Sequence, residues 1–432
     1  MTLAIIGFAV LLVLSFIGFP LGFATLAVGL VGFAYTRGWD WHAAFTMMSQ
    51  QVVETGSSYG LSVIPLFVLM GVFIYRSHIS EDLYRASYAM VGRFRGGLAQ
   101  STVLACAGFA AVSGSSLATA ATMAKVAMPH MRSYRYDDSL SSGVISAGGT
   151  LGIMIPPSVP MVIYSLVAQV DVGQMFIAGV VPGILLTLLF MGAVYASVLR
   201  NPGSGPAGKP MSRPERWQAY LRVWPVLALF VFVLGGIYAG AFTPTEASGM
   251  GAMGAALFAI WRGHLRSLRD LYASLIEACK TTATLFTVIF GAQVFANFIN
   301  LSGLPGDLVN IVDDMHLSAI GVVVAVCIIN IILGMIFESV GLLLLVVPVF
   351  LPTLIQLDVD LIWFGIIMIL VVEMGLITPP IGMNVFVVKT VIPDLALGRI
   401  FRGVMPFVVA DIIALALILI IPAIAVGVLV LR

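Results

Sequence analysis

Gly148-Gly149-Thr150-Leu151-Gly152-Ile153-Met154-Ile155-Pro156-Pro157-Ser158 interrupts a long apolar run. About 223 residues later, Glu373-Met374-Gly375-Leu376-Ile377-Thr378-Pro379-Pro380-Ile381-Gly382-Met383-Asn384 interrupts another. Proline has no backbone N–H and pushes the residue before it out of α geometry. Each Pro pair therefore breaks a helix and frees carbonyls of the preceding turn. A lone Pro-Pro is only a kink. Two of them at matching positions, each beside Gly, Ser, Thr or Asn, suggest paired broken helices. In transporters with inverted repeats, such breaks present freed carbonyls to Na⁺ or H⁺ and half-helix N-termini to anions.

Working outward, the match extends along most of the chain at an offset of about 222–225 residues. Phe176-Ile177-Ala178-Gly179-Val180-Val181-Pro182 echoes Ile400-Phe401-Arg402-Gly403-Val404-Met405-Pro406. Asp82-Leu83 echoes Asp307-Leu308, and Ser116 falls on Ser339. Shared Gly and Pro positions at one offset argue for duplication over chance similarity of apolar sequence. Between the halves lies Asn201-Pro202-Gly203-Ser204-Gly205-Pro206, a loop composition that reads as tolerant of change.

Of the 432 residues, 60% are hydrophobic and 9% charged. A soluble fold of this size could not hide that much apolar surface, so the chain reads as an all-α polytopic membrane protein with the lipid bilayer as a partner. Apolar segments fall at about 3–17, 21–36, 59–76, 97–130, 139–169, 175–199, 223–240, 245–261, 281–301, 318–352, 361–391 and 404–431. Residues 97–130 and 318–352 are too long for one span and read as re-entrant helical hairpins. With each hairpin returning to its own side, all 21 Lys and Arg except Arg37 and Arg432 fall on one side, which is then cytoplasmic. Both termini are expected in the periplasm. The first stretch has no basic n-region or cleavage site and is expected to be a retained span. The organisation is residues 1–200 as one repeat, 201–222 as a cytoplasmic linker and 223–432 as the second repeat. Each repeat has about five transmembrane helices plus one hairpin. Five is odd, so the second repeat is inverted.

The first hairpin turns at Ser113-Gly114-Ser115-Ser116. Half-helices of about 15 residues reach roughly 22 Å, which puts this tip near mid-membrane. Unpaired backbone there costs several kcal/mol per group, so water, an ion or a substrate should meet it. The alternative is a plain interruption with Ser bonded to its own backbone. The second tip, Gly334-Met335-Ile336-Phe337-Glu338-Ser339, carries an acid in an apolar hairpin. Glu338 reads as a cavity carboxylate facing a cation, as the cap of the second half-helix, or as both at once. Glu373 and Asp411 also lie in apolar runs, and the sequence leaves them as functional groups or as partners of a neighbouring helix. Thr243-Pro244-Thr245-Glu246 reads as a capping box opening the span at 245–261.

Enzyme readings find no support. The chain has no HExxH and no P-loop, and Cys106, Cys279 and Cys327 are far apart, so neither a disulfide framework nor a zinc site is suggested. No cofactor and no nucleic acid are expected.

At Phe242-Thr243-Pro244-Thr245-Glu246-Ala247, Gly152-Ile153-Met154-Ile155-Pro156-Pro157-Ser158 and Thr378-Pro379-Pro380-Ile381-Gly382 the sequence resembles the large subunit of TRAP (tripartite ATP-independent periplasmic) transporters, the M or DctM-like family. The resemblance covers essentially the whole chain. It implies an elevator-type transporter in the bacterial inner membrane, coupled to Na⁺ and served by two partners. One is a small four-helix membrane subunit (Q or DctQ-like), expected as a separate chain. The other is a periplasmic binding protein that delivers a C4-dicarboxylate, a sialic acid or a similar carboxylate. It further implies one sodium site at Ser113, Gly114, Ser115, Ser116, Gly149, Thr150, Gly152 and Pro156. A second would use Glu338, Ser339, Gly375, Thr378, Pro379 and Gly382. Substrate would lie near Ser115, Ser116, Ser339 and Asn384, and no metal other than Na⁺ is implied. The alternatives are an anion–sodium symporter that needs no binding protein and an ion channel.

Overall fold

A computed structural model describes residues 1–265 and 267–430; Arg266 and Arg432, used above in the charge distribution, lie outside the described residues. The described residues form twenty α-helices, two short 3-10 turns and no strand. The first half comprises α1 (Thr2–Phe16), α2 (Leu21–Thr36), α3 (Trp41–Ser57), α4 (Val63–Arg76), α5 (Ile79–Val91), α6 (Gly97–Ser113), α7 (Ser116–Ser133), α8 (Asp138–Met154), α9 (Val159–Ala168) and α10 (Val172–Arg200). The second comprises α11 (Arg213–Tyr238), α12 (Pro244–Trp261), α13 (Leu268–Leu301), α14 (Leu304–Asp314), α15 (Ala319–Gly334), α16 (Ser339–Gln356), α17 (Leu361–Ile377), α18 (Met383–Val391), α19 (Leu397–Ile420) and α20 (Ala423–Val430).

Element bounds repeat at the offset seen in the sequence. Adding 223 to the limits of α7 and α8 gives those of α16 and α17. The caps repeat too: Asp137 accepts from the amides of Ser139 and Leu140, and Asp360 from those of Ile362 and Trp363. Such a cap is worth about 1 kcal/mol to its helix. In the first half, α3 and α4 take the place that the single 34-residue α13 takes in the second.

The two broken helices, α8–α9 and α17–α18, run antiparallel. Arg132, just before α8, binds both Asp138 (2.9 Å) and Asp394, just after α18 (2.6 Å). At the other end, Tyr164 on α9 donates to the carbonyl of Leu361 on α17 (2.5 Å). Every residue from Leu140 to Met154 in α8 and from Trp363 to Ile377 in α17 is buried. Helices apolar all round belong at the centre of a large assembly. Gly143 of α8 and Gly403 of α19 let two backbones touch where any Cβ would collide. Large apolar side chains such as Phe16, Ile17, Trp224, Val231 and Trp261 cover the outside, a surface suited to lipid.

Several boundaries differ from the sequence reading. By length and composition, six described helices can cross a membrane, or seven if α8 and α9, bent by 42°, count as one span. The apolar α1, α2, α6, α15 and α17 are shorter than a full span. The segment 404–431 ends its main helix at Ile420, where Pro422 lets the chain restart as α20. Helices α3, α5 and α14 fall between the apolar runs. The linker is a strap and not a loose loop. Gly205 accepts the Gly96 amide, Ser204 accepts the Asp137 amide and is itself buried, and Lys209 accepts the Tyr88 hydroxyl. From Arg213 onward it is already α11, started by a Ser212–Glu215 capping box.

Candidate functional site

The first hairpin, α6 and α7, turns at Gly114, whose φ of +59° suits a residue without a Cβ. The tip docks on the first helix break. A Cβ on Gly152 would stand 2.6 Å from the carbonyl oxygen of Ser115, and one on Gly114 would stand 3.1 Å from that of Pro157. Its hydroxyls are organised locally and across the halves. Ser113 Oγ and Thr119 Oγ1 are 2.9 Å apart, and Thr119 donates to Ser115 O (2.7 Å). Ser116 donates to Asn384 Oδ1 (2.8 Å), and Asn384 Nδ2 donates to Ser146 O (3.1 Å). Asn384, fully buried on α18, thus fastens the first tip to α8 from the opposite half.

At the second hairpin, Glu338 occupies the N-cap position of α16, yet its side chain makes no capping hydrogen bond. The capping alternative is therefore not realised. Its carboxylate instead lines a cavity of about 310 Å³. Ser113, Gly114, Ser115, Ser116 and Ser339 line the same cavity, so the two tips meet there. The facing wall comes from α4 (Gly71, Tyr75) and α13 (Glu277, Thr281). Glu277 is held by Arg76 through a 2.7 Å ion pair.

The remaining expected residues lie around this cavity but not on its wall. Gly149, Thr150, Gly152 and Pro156 are buried behind the first tip, and the Thr150 hydroxyl donates to Ala147 O (2.7 Å). Gly375 packs on the backbone of Gly334, which lets α17 approach α15. Thr378 donates to Met374 O (2.5 Å), Pro379 is exposed, and Gly382 turns with φ +64°.

Lys125 was not among the expected residues. It projects from α7 into the cavity and also borders two further cavities, of about 400 and 660 Å³, that continue toward the Arg-rich end. It makes no ion pair among the described residues. A lysine inside the apolar run 97–130 was the available signal. Glu277 carried no such signal, because it lies upstream of the apolar segment 281–301. The arrangement offers hard oxygen donors from two tips, the Glu338 carboxylate, an Arg76-paired Glu277 and the Lys125 ammonium, which suits a small cation together with an anion.

Capping by Thr243 and Glu246 is realised in both directions: the Glu246 amide donates to Thr243 Oγ1 (3.3 Å), and Glu246 Oε2 accepts from the Thr243 amide (2.8 Å).

Residues 8–424 match the family profile described as "Tripartite ATP-independent periplasmic transporter, DctM component". The chain is 37% identical over 377 residues to the C4-dicarboxylate TRAP transporter large permease protein DctM of Pseudomonas aeruginosa, covering 87% of each. It is 30% identical over 409 residues to the sialic acid TRAP transporter large permease protein SiaM of Vibrio cholerae, covering 95% of this chain and 94% of that one. Among solved structures, the Alcanivorax borkumensis YdaH transporter superposes with a TM-score of 0.65 at 13% identity, over 88% of this chain and 87% of that one. That likeness concerns the fold alone.

Proposed function

The chain belongs to the DctM component family of tripartite ATP-independent periplasmic transporters, and from that premise we propose that it performs sodium-driven uptake of a C4-dicarboxylate, a sialic acid or a similar carboxylate across the bacterial inner membrane. The observation that carries this reading is the single cavity shared by both hairpin tips. The first tip, with Gly149, Thr150, Gly152 and Pro156 behind it, forms one Na⁺ site. Glu338 and Ser339, with Thr378, Pro379 and Gly382, form the other. The hydroxyls of Ser115, Ser116 and Ser339 hold the substrate, and Asn384 positions the first tip. Lys125 attracts the carboxylate on the Arg-rich, cytoplasmic side. A periplasmic binding protein delivers the substrate, a small membrane subunit completes the scaffold, and both termini face the periplasm. The antiparallel broken helices support an inverted repeat. Because the cavity lies between the hairpins and α4–α13, the hairpins and broken helices form a unit that slides as an elevator against the rest.

The test is uptake of labelled succinate or N-acetylneuraminate into vesicles holding the chain, its small subunit and its binding protein. Sodium gradient and membrane potential are set independently, the latter by potassium and valinomycin. One net charge moving through 100 mV releases about 2.3 kcal/mol, and a tenfold gradient adds about 1.4 kcal/mol per Na⁺. Two Na⁺ with a monoanion give roughly 5 kcal/mol, enough for accumulation of a few thousandfold. The expected result is uptake that rises with both sodium and inside-negative potential. Uptake indifferent to both contradicts the reading.

A further inference from the structure

Two acidic residues of the central helices are not used by the cavity. Glu373 on α17 and Asp411 on α19 are fully buried, and none of their four carboxylate oxygens has a hydrogen-bond partner among the described residues. They act on each other electrostatically, and the backbone of Met154, at the end of α8, borders Glu373. Helices α8, α17 and α19 pack together around them.

Among the described residues, no cationic side chain pairs with either carboxyl group. Arg132 on α7, which packs on α8 and α18, is taken by Asp138 and Asp394. Lys389 donates to the carbonyls of Pro393 and Leu395. Tyr164 donates to Leu361, Glu338 lines the tip cavity, and Cys327 on α15 is a buried thiol. Arg399 and Arg402 lie in the first turns of α19, two to three turns before Asp411. Tyr195 and Arg200 lie in the last turns of α10. Two ionised carboxylates cannot share a dry site without compensating positive charge.

The other half shows that the fold itself does not need charge there. By the 223-residue offset of α8 and α17, Glu373 corresponds to Thr150. By the 224-residue offset that sets Pro182 on Pro406, Asp411 corresponds to Thr187. Both threonines are buried, and both donate to their own helix, to Ala147 O (2.7 Å) and Gly183 O (2.8 Å). The same two positions thus carry satisfied hydroxyls in one half and unsatisfied carboxyl groups in the other.

We propose that Glu373 and Asp411 together hold one monovalent cation, Na⁺ or H⁺, that accompanies each substrate in addition to the ions at the hairpin tips. This rests on the sodium-coupled reading above. It supplies the charge that a dicarboxylate otherwise lacks, since two Na⁺ only neutralise a dianion and forfeit the potential.

The experiment counts cations in the same vesicles, with tracer sodium and an internal pH dye. The substrate is labelled succinate or N-acetylneuraminate, whichever the wild type accumulates. In the wild type, Na⁺ and H⁺ together should number three per substrate; a sum of two overturns the proposal, whatever any variant does. Glu373→Gln with Asp411→Asn should lower the sum by one. Accumulation at 100 mV relative to 0 mV then falls about 50-fold, the weight of one charge at that potential. Glu373→Thr with Asp411→Thr copies the first half and should behave alike. Loss in the sodium count identifies Na⁺, and loss in the proton count identifies H⁺. A neutral variant that keeps the wild-type sum overturns the proposal. Failure of the underlying reading looks different, because the wild type itself would then ignore sodium.

Discussion

The helix break of the first half is sealed and that of the second is open. Pro156, Pro157 and Ser158 are buried beneath the first hairpin, whereas Pro379 and Pro380 are exposed. The first tip is short, built from small hydroxyl residues, and docks against Gly152. The second tip spans Met335 to Glu338 and turns its carboxylate into the cavity. The two breaks therefore differ in polarity. The limits of α7 and α8 recur in α16 and α17, and the breaks that follow differ in exposure and in the hairpin tip they meet.

The largest effect that could break this comparison concerns the matched glycines Gly179 and Gly403. A Cβ at Gly403 would run into the backbone carbonyl of Ser139, while one at Gly179 would meet the flexible end of Met161 at 2.6 Å. Gly403→Ala should cost about 3 kcal/mol or more, because α8 and α19 must separate. Gly179→Ala should cost under about 1 kcal/mol. Melting of the purified chain in detergent gives the difference, and equal losses at both sites would remove the asymmetry.

A smaller effect sharpens it. The matched aspartates Asp82 and Asp307 also live in different surroundings. Asp82 is buried and bound by Arg262, with Arg222 at 3.8 Å, whereas Asp307 is 44% exposed and pairs with the N-terminal amine at 2.9 Å. Removing one partner of a buried pair leaves an uncompensated charge, so Arg262→Ala should cost about 3 kcal/mol. Asp307→Asn should cost under about 1 kcal/mol, as surface pairs do. The same melting assay ranks them.

Both hairpins and both breaks were legible in the sequence because Gly, Ser and Pro interrupt apolar runs at one offset. The helices α3, α5 and α14 were not, because they are too polar to register as spans. The linker read as loose from its Pro and Gly content. Its backbone hydrogen bonds to Gly96 and Asp137 are long-range, and composition does not encode them. At the cavity, the tips could be read, but their meeting depends on remote segments: Tyr75 lies about 40 residues before the first tip, Glu277 about 60 before the second, and Lys125 about 210 before the second. Glu338 stood between cap and cavity; it holds the N-cap position without a side-chain capping bond and lines the cavity.

The central claim is that the two tips, which line one shared cavity, each hold a Na⁺ site that uptake depends on. Its most direct test is the sodium dependence of uptake for two variants, Ser115→Ala with Ser116→Ala at the first tip and Glu338→Gln at the second. Each should shift the half-saturating sodium concentration upward by about tenfold, a loss of about 1.4 kcal/mol of ion binding, in protein that still folds and reaches the membrane. A sodium curve unchanged in either variant would contradict a sodium site at that tip.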